Sequence, residues 1–170
     1  MNKRTSTLVT LDKSFRSTKE ILSFSTKFIP RPMEIKSFSR SGARPEIHAA
    51  SCRQALCDMI VSEAKSCLKE GYRSIGLICK TEKNSLSLYR CLKGKIEVKI
   101  IKNENEAAVQ GVFIIPVYLS KGLEFDAVSI CDADVENYKS TEDKRLLYIA
   151  CTRALHRLRL FCEGTVSPLL

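Results

Sequence analysis

Ser120-Lys121-Gly122-Leu123-Glu124-Phe125-Asp126 sets a lysine, a glycine and a glutamate within four residues, between two short apolar runs, 112–119 and 127–131. Both runs are rich in Val and Ile, as buried strands are, so the polar residues between them form a turn at a strand end. Ligands of open parallel sheets bind outside the carboxyl ends of strands. A glycine lets the backbone approach a ligand closely, and Lys121 and Glu124 offer charges of both signs. The turn reads as one wall of a nucleotide site. Two arginines have related settings. Arg16 falls between a strand end and a helix N-terminus, where anions are favoured, and Arg153 falls near the end of the last helix. Arginine suits phosphate because its planar fork stays charged and grips two oxygens at once. Taken singly, the turn and Arg16 read better as exposed surface charge.

The elements that must position them alternate. Thr7–Leu11 is β-prone. Ser17-Thr18-Lys19-Glu20 has the form of a capping box, and a helix follows through Ile21, Leu22, Phe24 and Phe28 until Pro30 and Pro32. Residues 32–45 form a basic loop with a short strand at Met33–Phe38, and Glu46–Ala50 is a strand. Arg53–Glu70 carries a helical apolar stripe that ends at Gly71. Ser74–Cys79 is a buried strand, and Thr81 caps a helix to Leu92. Lys95–Ile101 alternates as a half-exposed strand. After the central turn, a helix opens at Thr141 with acids in its first turn, and Arg157–Cys162 alternates as an edge-like strand. Strands alternating with helices indicate an α/β fold with a mostly parallel sheet covered on both faces.

At 170 residues and 44% apolar, with a mean hydropathy of −0.10, the chain has the makings of one domain, 1–170. No apolar stretch approaches the length that spans a bilayer, and the N-terminus carries no secretory signal, so the cytoplasm is the expected location. The net charge of +9 suggests a polyanionic partner, with local density at Lys27–Arg44 and Arg153–Arg159. None of the eight cysteines forms a C-x-x-C pair, and His48 and His156 stand apart from them, which argues against zinc. The cysteines read as small buried apolar residues in a reducing compartment.

Three stretches together resemble a known family. Leu11-Asp12-Lys13-Ser14-Phe15-Arg16-Ser17-Thr18 resembles motif IV of the UvrD/Rep/PcrA-type superfamily 1 helicases. Residues 120–126 resemble their motif V, and Asp143-Lys144-Arg145-Leu146-Leu147-Tyr148-Ile149-Ala150-Cys151-Thr152-Arg153-Ala154 resembles motif VI, in the right order. The resemblance implies the second, RecA-like three-layer motor domain (2A) of an ATP-dependent helicase. It implies that Phe15 stacks on adenine, that Arg16 and Arg153 reach the γ-phosphate, and that Gly122 lies by the phosphates, with Lys121 among the nucleotide-binding residues. It also implies that Glu124 binds the ribose hydroxyl. Arginine fingers raise phosphoryl-transfer rates by roughly 10³–10⁵ where measured.

The sequence departs from the family upstream of Lys121. Pro116 and Tyr118 stand where Thr and His commonly touch single-stranded DNA. The form PVYLSKGLEFD is similar to the HelD-like (helicase IV-like) branch, whose members engage RNA polymerase. An alternative function is therefore a polymerase-binding module that uses ATP as a switch. The spacing from Arg16 to Lys121 leaves little room for an inserted 2B domain. No G-x-x-x-x-G-K-[ST] occurs: Gly71-Tyr72-Arg73-Ser74-Ile75-Gly76 is followed by Leu77-Ile78. The phosphate cradle and the Mg²⁺ ligands are expected in an N-terminal RecA-like domain, with this chain a fragment of the longer protein. The 170-residue chain alone is accordingly expected to show negligible ATPase activity. Steady phosphate release by purified chain, free of contaminating enzyme, would contradict this.

Overall fold

Short apolar runs punctuated by caps and glycines become, in the computed structural model, strands that alternate with helices. Residues 13–14, 17–29, 36–37, 40–103 and 110–170 are described. In order they form β1 (Lys13–Ser14), α1 (Lys19–Ser25), a 3₁₀ turn (Thr26–Phe28), β2 (Lys36–Ser37), β3 (Glu46–Ala50), α2 (Arg53–Lys69) and β4 (Ser74–Cys79). There follow α3 (Glu82–Leu92), β5 (Lys99–Ile100), β6 (Gly111–Pro116), a second 3₁₀ turn (Val117–Ser120), β7 (Phe125–Ile130), α4 (Thr141–Cys151) and β8 (Ala154–Glu163). Six strands make one sheet in the order β3-β8-β7-β4-β6-β5. Every pair in it is parallel. β1 and β2 form a separate parallel pair.

Side chains alternate across the sheet and make two cores. Ile75, Leu77, Cys79, Val112 and Ile114 pack with α2 and α3 on one face. Ile78, Phe113, Ile115, Val128, Ile130, Leu158 and Leu160 pack with α1 and α4 on the other. The result is the expected three-layer α/β fold. Gly76 faces the α4 side, and the Phe125 ring fills the space its side chain would need: an added Cβ would lie 2.7 Å from Phe125 Cδ2.

Several elements differ from expectation for identifiable reasons. Ser17 does not cap α1. Thr18 does, accepting from the Ile21 amide at 3.5 Å, while Ser17 Oγ donates to the Ala154 carbonyl and Glu20 accepts from the Gly42 amide. Tertiary partners have taken both ends of the capping box. The strand expected at Lys95–Ile101 shortens to β5, because the Lys95 and Ile96 amides still satisfy the Leu92 carbonyl at the end of α3. The strand expected at Met33–Phe38 contains β2, and Thr7–Leu11 lies outside the described residues. β8 is an interior strand, not an edge. Its arginines face α2 and β3: Arg157 pairs with Glu70 at 2.9 Å, Arg159 with Glu63 at 2.9 Å and with Glu46. An alternating pattern of arginine and leucine signals a half-wet strand unless a helix supplies carboxylates, as α2 does here.

The cysteine reading is corrected in part. Cys57 and Cys91 are joined in a disulfide between α2 and α3. Cys67, Cys79, Cys131, Cys151 and Cys162 are buried thiols, and Cys52 is exposed. The two bridged residues are 34 positions apart. Only the packing of two helices on one sheet face brings them together.

Two expectations follow from this packing. Gly76→Ala should destabilise the chain by about 1–3 kcal/mol through overpacking against the buried Phe125 ring, read as a lower urea midpoint at unchanged slope. The second concerns Asp143 in the first turn of α4. Its carboxylate accepts from the Lys139 and Ser140 amides at 2.9 and 3.0 Å and pairs with Lys80 at 2.5 Å. Burial raises its pKa, but the Lys80 ammonium and the two amides outweigh burial and hold it down at about 2. The group titrates lower in the folded chain than in the unfolded one. Its stabilisation is therefore complete above about pH 4 and is lost as pH falls through 2. The stability gap between the parent chain and Asp143→Asn should narrow by about 2 kcal/mol from pH 6 to pH 2; a constant gap in urea titrations would refute the pairing.

Candidate functional site

β6 and β7 are parallel and flank β4, so the chain must return from one edge of the sheet to the other between them. Pro116 lies level with Cys79 at the carboxyl edge, and Ala127 level with Ile75 near the amino edge. No helix makes this return. Val117–Ser120 coils into a 3₁₀ turn over the α4 face, with Val117 and Leu119 buried in that core and Ser120 Oγ donating to the Val117 carbonyl at 2.7 Å. The 121–124 turn then leads into β7 at the amino edge. This corrects the expectation that it lies outside a carboxyl end. The crossover carries the motif past β4 before the sheet resumes.

Lys121, Gly122 and Glu124 are exposed in this turn, and Leu123 is half-buried. Gly122 has φ +87°, and a Cβ built on it meets nothing within 4 Å. The glycine is required by backbone conformation, and the space above it is open to a ligand.

Arg153 reaches the same edge from another direction. α4 begins at the Ser140 cap near the carboxyl edge and runs back, so its far end delivers Arg153 beside the turn. Arg153 Nη1 donates to the Leu123 carbonyl at 3.2 Å, Nε to the Ile149 carbonyl at 3.2 Å and Nη2 to Thr152 Oγ1 at 3.2 Å. The Phe125 amide donates to the Arg153 carbonyl at 2.9 Å. The structure thus brings Arg153 together with the segment that holds Gly122 and Glu124. Phe15 and Arg16 lie outside the described residues. Ser17, the residue after them, is tied to the same place: its hydroxyl donates to the Ala154 carbonyl at 2.6 Å.

Asp126, the last residue of the central motif, holds the turn from below. Its carboxylate accepts from the Arg73 and Ser74 amides at 2.7 and 3.0 Å, and its amide donates to Ser74 Oγ at 2.9 Å. Burial raises its pKa, but these amides prevail and leave it below the ordinary carboxylate range. Asp126 and Asp143 are positioning residues that the sequence reading did not single out. The available signal was an acid beside each motif's basic residues, with no indication of which amide each would meet.

The basic density at Arg153–Arg159 is partly consumed inside the domain. Arg157 and Arg159 are committed to Glu46, Glu63 and Glu70. The excess charge that a polyanion would meet therefore comes from other residues. Among the described residues no group of three or more His, Cys, Asp or Glu side chains is arranged to hold a metal ion, and no helix is long and apolar enough to cross a membrane.

Comparison with known proteins matches this geometry. Residues 111–161, from β6 through most of β8, match the UvrD-like helicase C-terminal domain family. The C-terminal domain of a possible DNA helicase from Lactobacillus plantarum WCFS1 superposes with a TM-score of 0.80 at 33% identity, covering 92% of this chain and 91% of that one. An Arterivirus nonstructural protein 10, a helicase, shares the fold at a TM-score of 0.51 and 12% identity, over 88% of this chain and 32% of its own. No curated protein matches the chain. With its motif-bearing turn and the helix that ends at Arg153 joined at one sheet edge, and with a relative of one-third identity along nearly its whole length, this chain belongs to the UvrD-like helicase C-terminal domain family.

Proposed function

We propose that this chain is the C-terminal motor domain of an ATP-dependent superfamily 1 DNA helicase or translocase. It forms one wall of an ATP site whose other wall is the N-terminal RecA-like domain of the same full-length protein. The observation that carries this reading is the hydrogen-bonded junction of Arg153 with the Leu123–Phe125 segment. It puts a guanidinium, a glycine backbone and a carboxylate on one exposed rim. The open space over Gly122 suits a phosphate approaching the backbone. In this reading Lys121 and Gly122 border the phosphates, Glu124 accepts from the ribose hydroxyl and Phe15 stacks on adenine. Arg16 and Arg153 stabilise charge on the transferring phosphoryl group.

Mg²⁺ is held mainly by the N-terminal domain, and the protein works in the cytoplasm. Closure of the two domains over ATP, and their release, drive movement along single-stranded DNA. In the closed state Arg153 exchanges part of its carbonyl coordination for phosphate oxygens.

A second reading, contact with RNA polymerase with ATP as a switch, draws on Tyr118. It is 56% exposed, and Leu86, which lines the same small surface pocket, is 37% exposed. An apolar pair on the surface suits a protein partner as well as a base.

In the full-length protein, Arg153→Ala and Arg153→Lys should each lower ATP turnover by about 10³-fold or more, with the melting temperature of Arg153→Lys close to the parent's. Turnover surviving in Arg153→Lys would withdraw the finger role. Affinity for oligonucleotides that falls steeply with salt supports strand tracking. Salt-insensitive, weak strand binding together with stoichiometric binding of purified polymerase supports the second reading.

A further inference from the structure

Ser17 is a buried polar residue, 6% exposed, whose hydroxyl leaves the capping of α1 to Thr18. Ser17 Oγ instead donates to the Ala154 carbonyl at 2.6 Å, and the two residues are 137 positions apart in the chain. Each end of this bond follows directly on an arginine of the proposed ATP site: Arg16 precedes Ser17, and Arg153 precedes Ala154.

The bond falls where the sheet supports β8 least. β3 pairs with β8 only from Arg159 onward, so among the described residues the opening of β8 has a strand neighbour on the β7 side alone. On that side the ladder shifts register between the Phe125–Ala154 and Ala127–Arg157 pairs. Ala154 is fully buried, and buried carbonyls need donors. The Ser17 hydroxyl is a donor brought in from outside the sheet.

Neighbouring bonds hold that hydroxyl in place. The Leu22 amide donates to the Thr18 carbonyl at 3.0 Å, which locks Thr18 to α1. The Lys19 amide donates to the Arg40 carbonyl at 3.1 Å, and Arg40 Nη2 donates to the Leu155 carbonyl at 3.2 Å. The start of α1 is therefore tied to the first two residues of β8, through Arg40 at the surface and through Ser17 in the interior. The backbone beside Arg153 is gripped from two sides: the Phe125 amide takes the Arg153 carbonyl, and Ser17 takes the next one.

We propose that Ser17 is a positioning residue for phosphoryl transfer, which acts through Ala154 to fix the backbone that carries Arg153 against the start of α1. The proposal rests on the finger role given to Arg153. Stabilisation of transition-state charge depends on donors held in place beforehand. In the full-length protein, under single-turnover conditions, Ser17→Ala should slow ATP hydrolysis about tenfold to a hundredfold. Its KM for ATP should stay within about twofold of the parent's, because the loss is confined to the transition state. In an Arg153→Lys background the same substitution should cost nothing further, since the group it positions is already gone. Should alanine prevent folding, Ser17→Cys, whose thiol is a weaker donor, is measured in the same cycle. An unchanged rate, a loss of equal size in both backgrounds, or a rise in KM that accounts for the whole effect overturns the proposal and leaves the finger role intact. Undiminished hydrolysis by Arg153→Lys alone removes the finger role, and the role of Ser17 with it.

Discussion

The start of β7 is hydrogen-bonded to the last residue before β8, and the candidate nucleotide face depends on that contact. Phe125 donates to the carbonyl of Arg153, whose guanidinium in turn donates to Leu123. Two motifs separated by an entire loop and helix become one rim. The contact sits at the end of the parallel β7–β8 ladder, one register shift beyond the regular pairs that run from Ala127–Arg157 to Ile130–Leu160. A rim built on two central strands is stiffer than one built on loops. Preorganisation of this kind is what charge stabilisation in phosphoryl transfer requires.

The remaining framework serves to hold that ladder in place. Gly76 gives the Phe125 ring its space, and Asp126 ties the first residues of β7 to those of β4. At the opposite edge, Ser140 and Asp143 fix where α4 begins, and Lys80 at the end of β4 holds Asp143. A rigid helix of fixed origin then determines where Arg153 arrives. Asp126 and Asp143 thus position backbone, while Lys121, Gly122 and Glu124 are exposed.

Much of this was legible in the sequence where periodicity and caps agree. β3, β4, α2 and α3 fall within a residue or two of expectation, because apolar spacing, Thr81 and Gly71 all point the same way. Expectation failed where a distant partner decides. Ser17 resembles a cap until Ala154 offers a carbonyl, and β8 resembles an edge until α2 covers its arginines with glutamates. Arg153 meets the Leu123–Phe125 segment, but at the amino edge of the sheet and not at a carboxyl end. Apolar runs say that two strands flank a turn; they do not say that a third strand stands between them.

The helix-free crossover has a mechanical consequence. Between Pro116 and Phe125 the backbone is folded twice on itself, first in the 3₁₀ turn Val117–Ser120 and then in a turn closed by the Leu123 amide on the Ser120 carbonyl at 3.1 Å. Val117 and Leu119 anchor the first turn in the core. Three residues separate exposed Tyr118 from Gly122. A partner that displaced Tyr118 would therefore reach the glycine turn through a short, hydrogen-bonded piece of backbone and not through a helix.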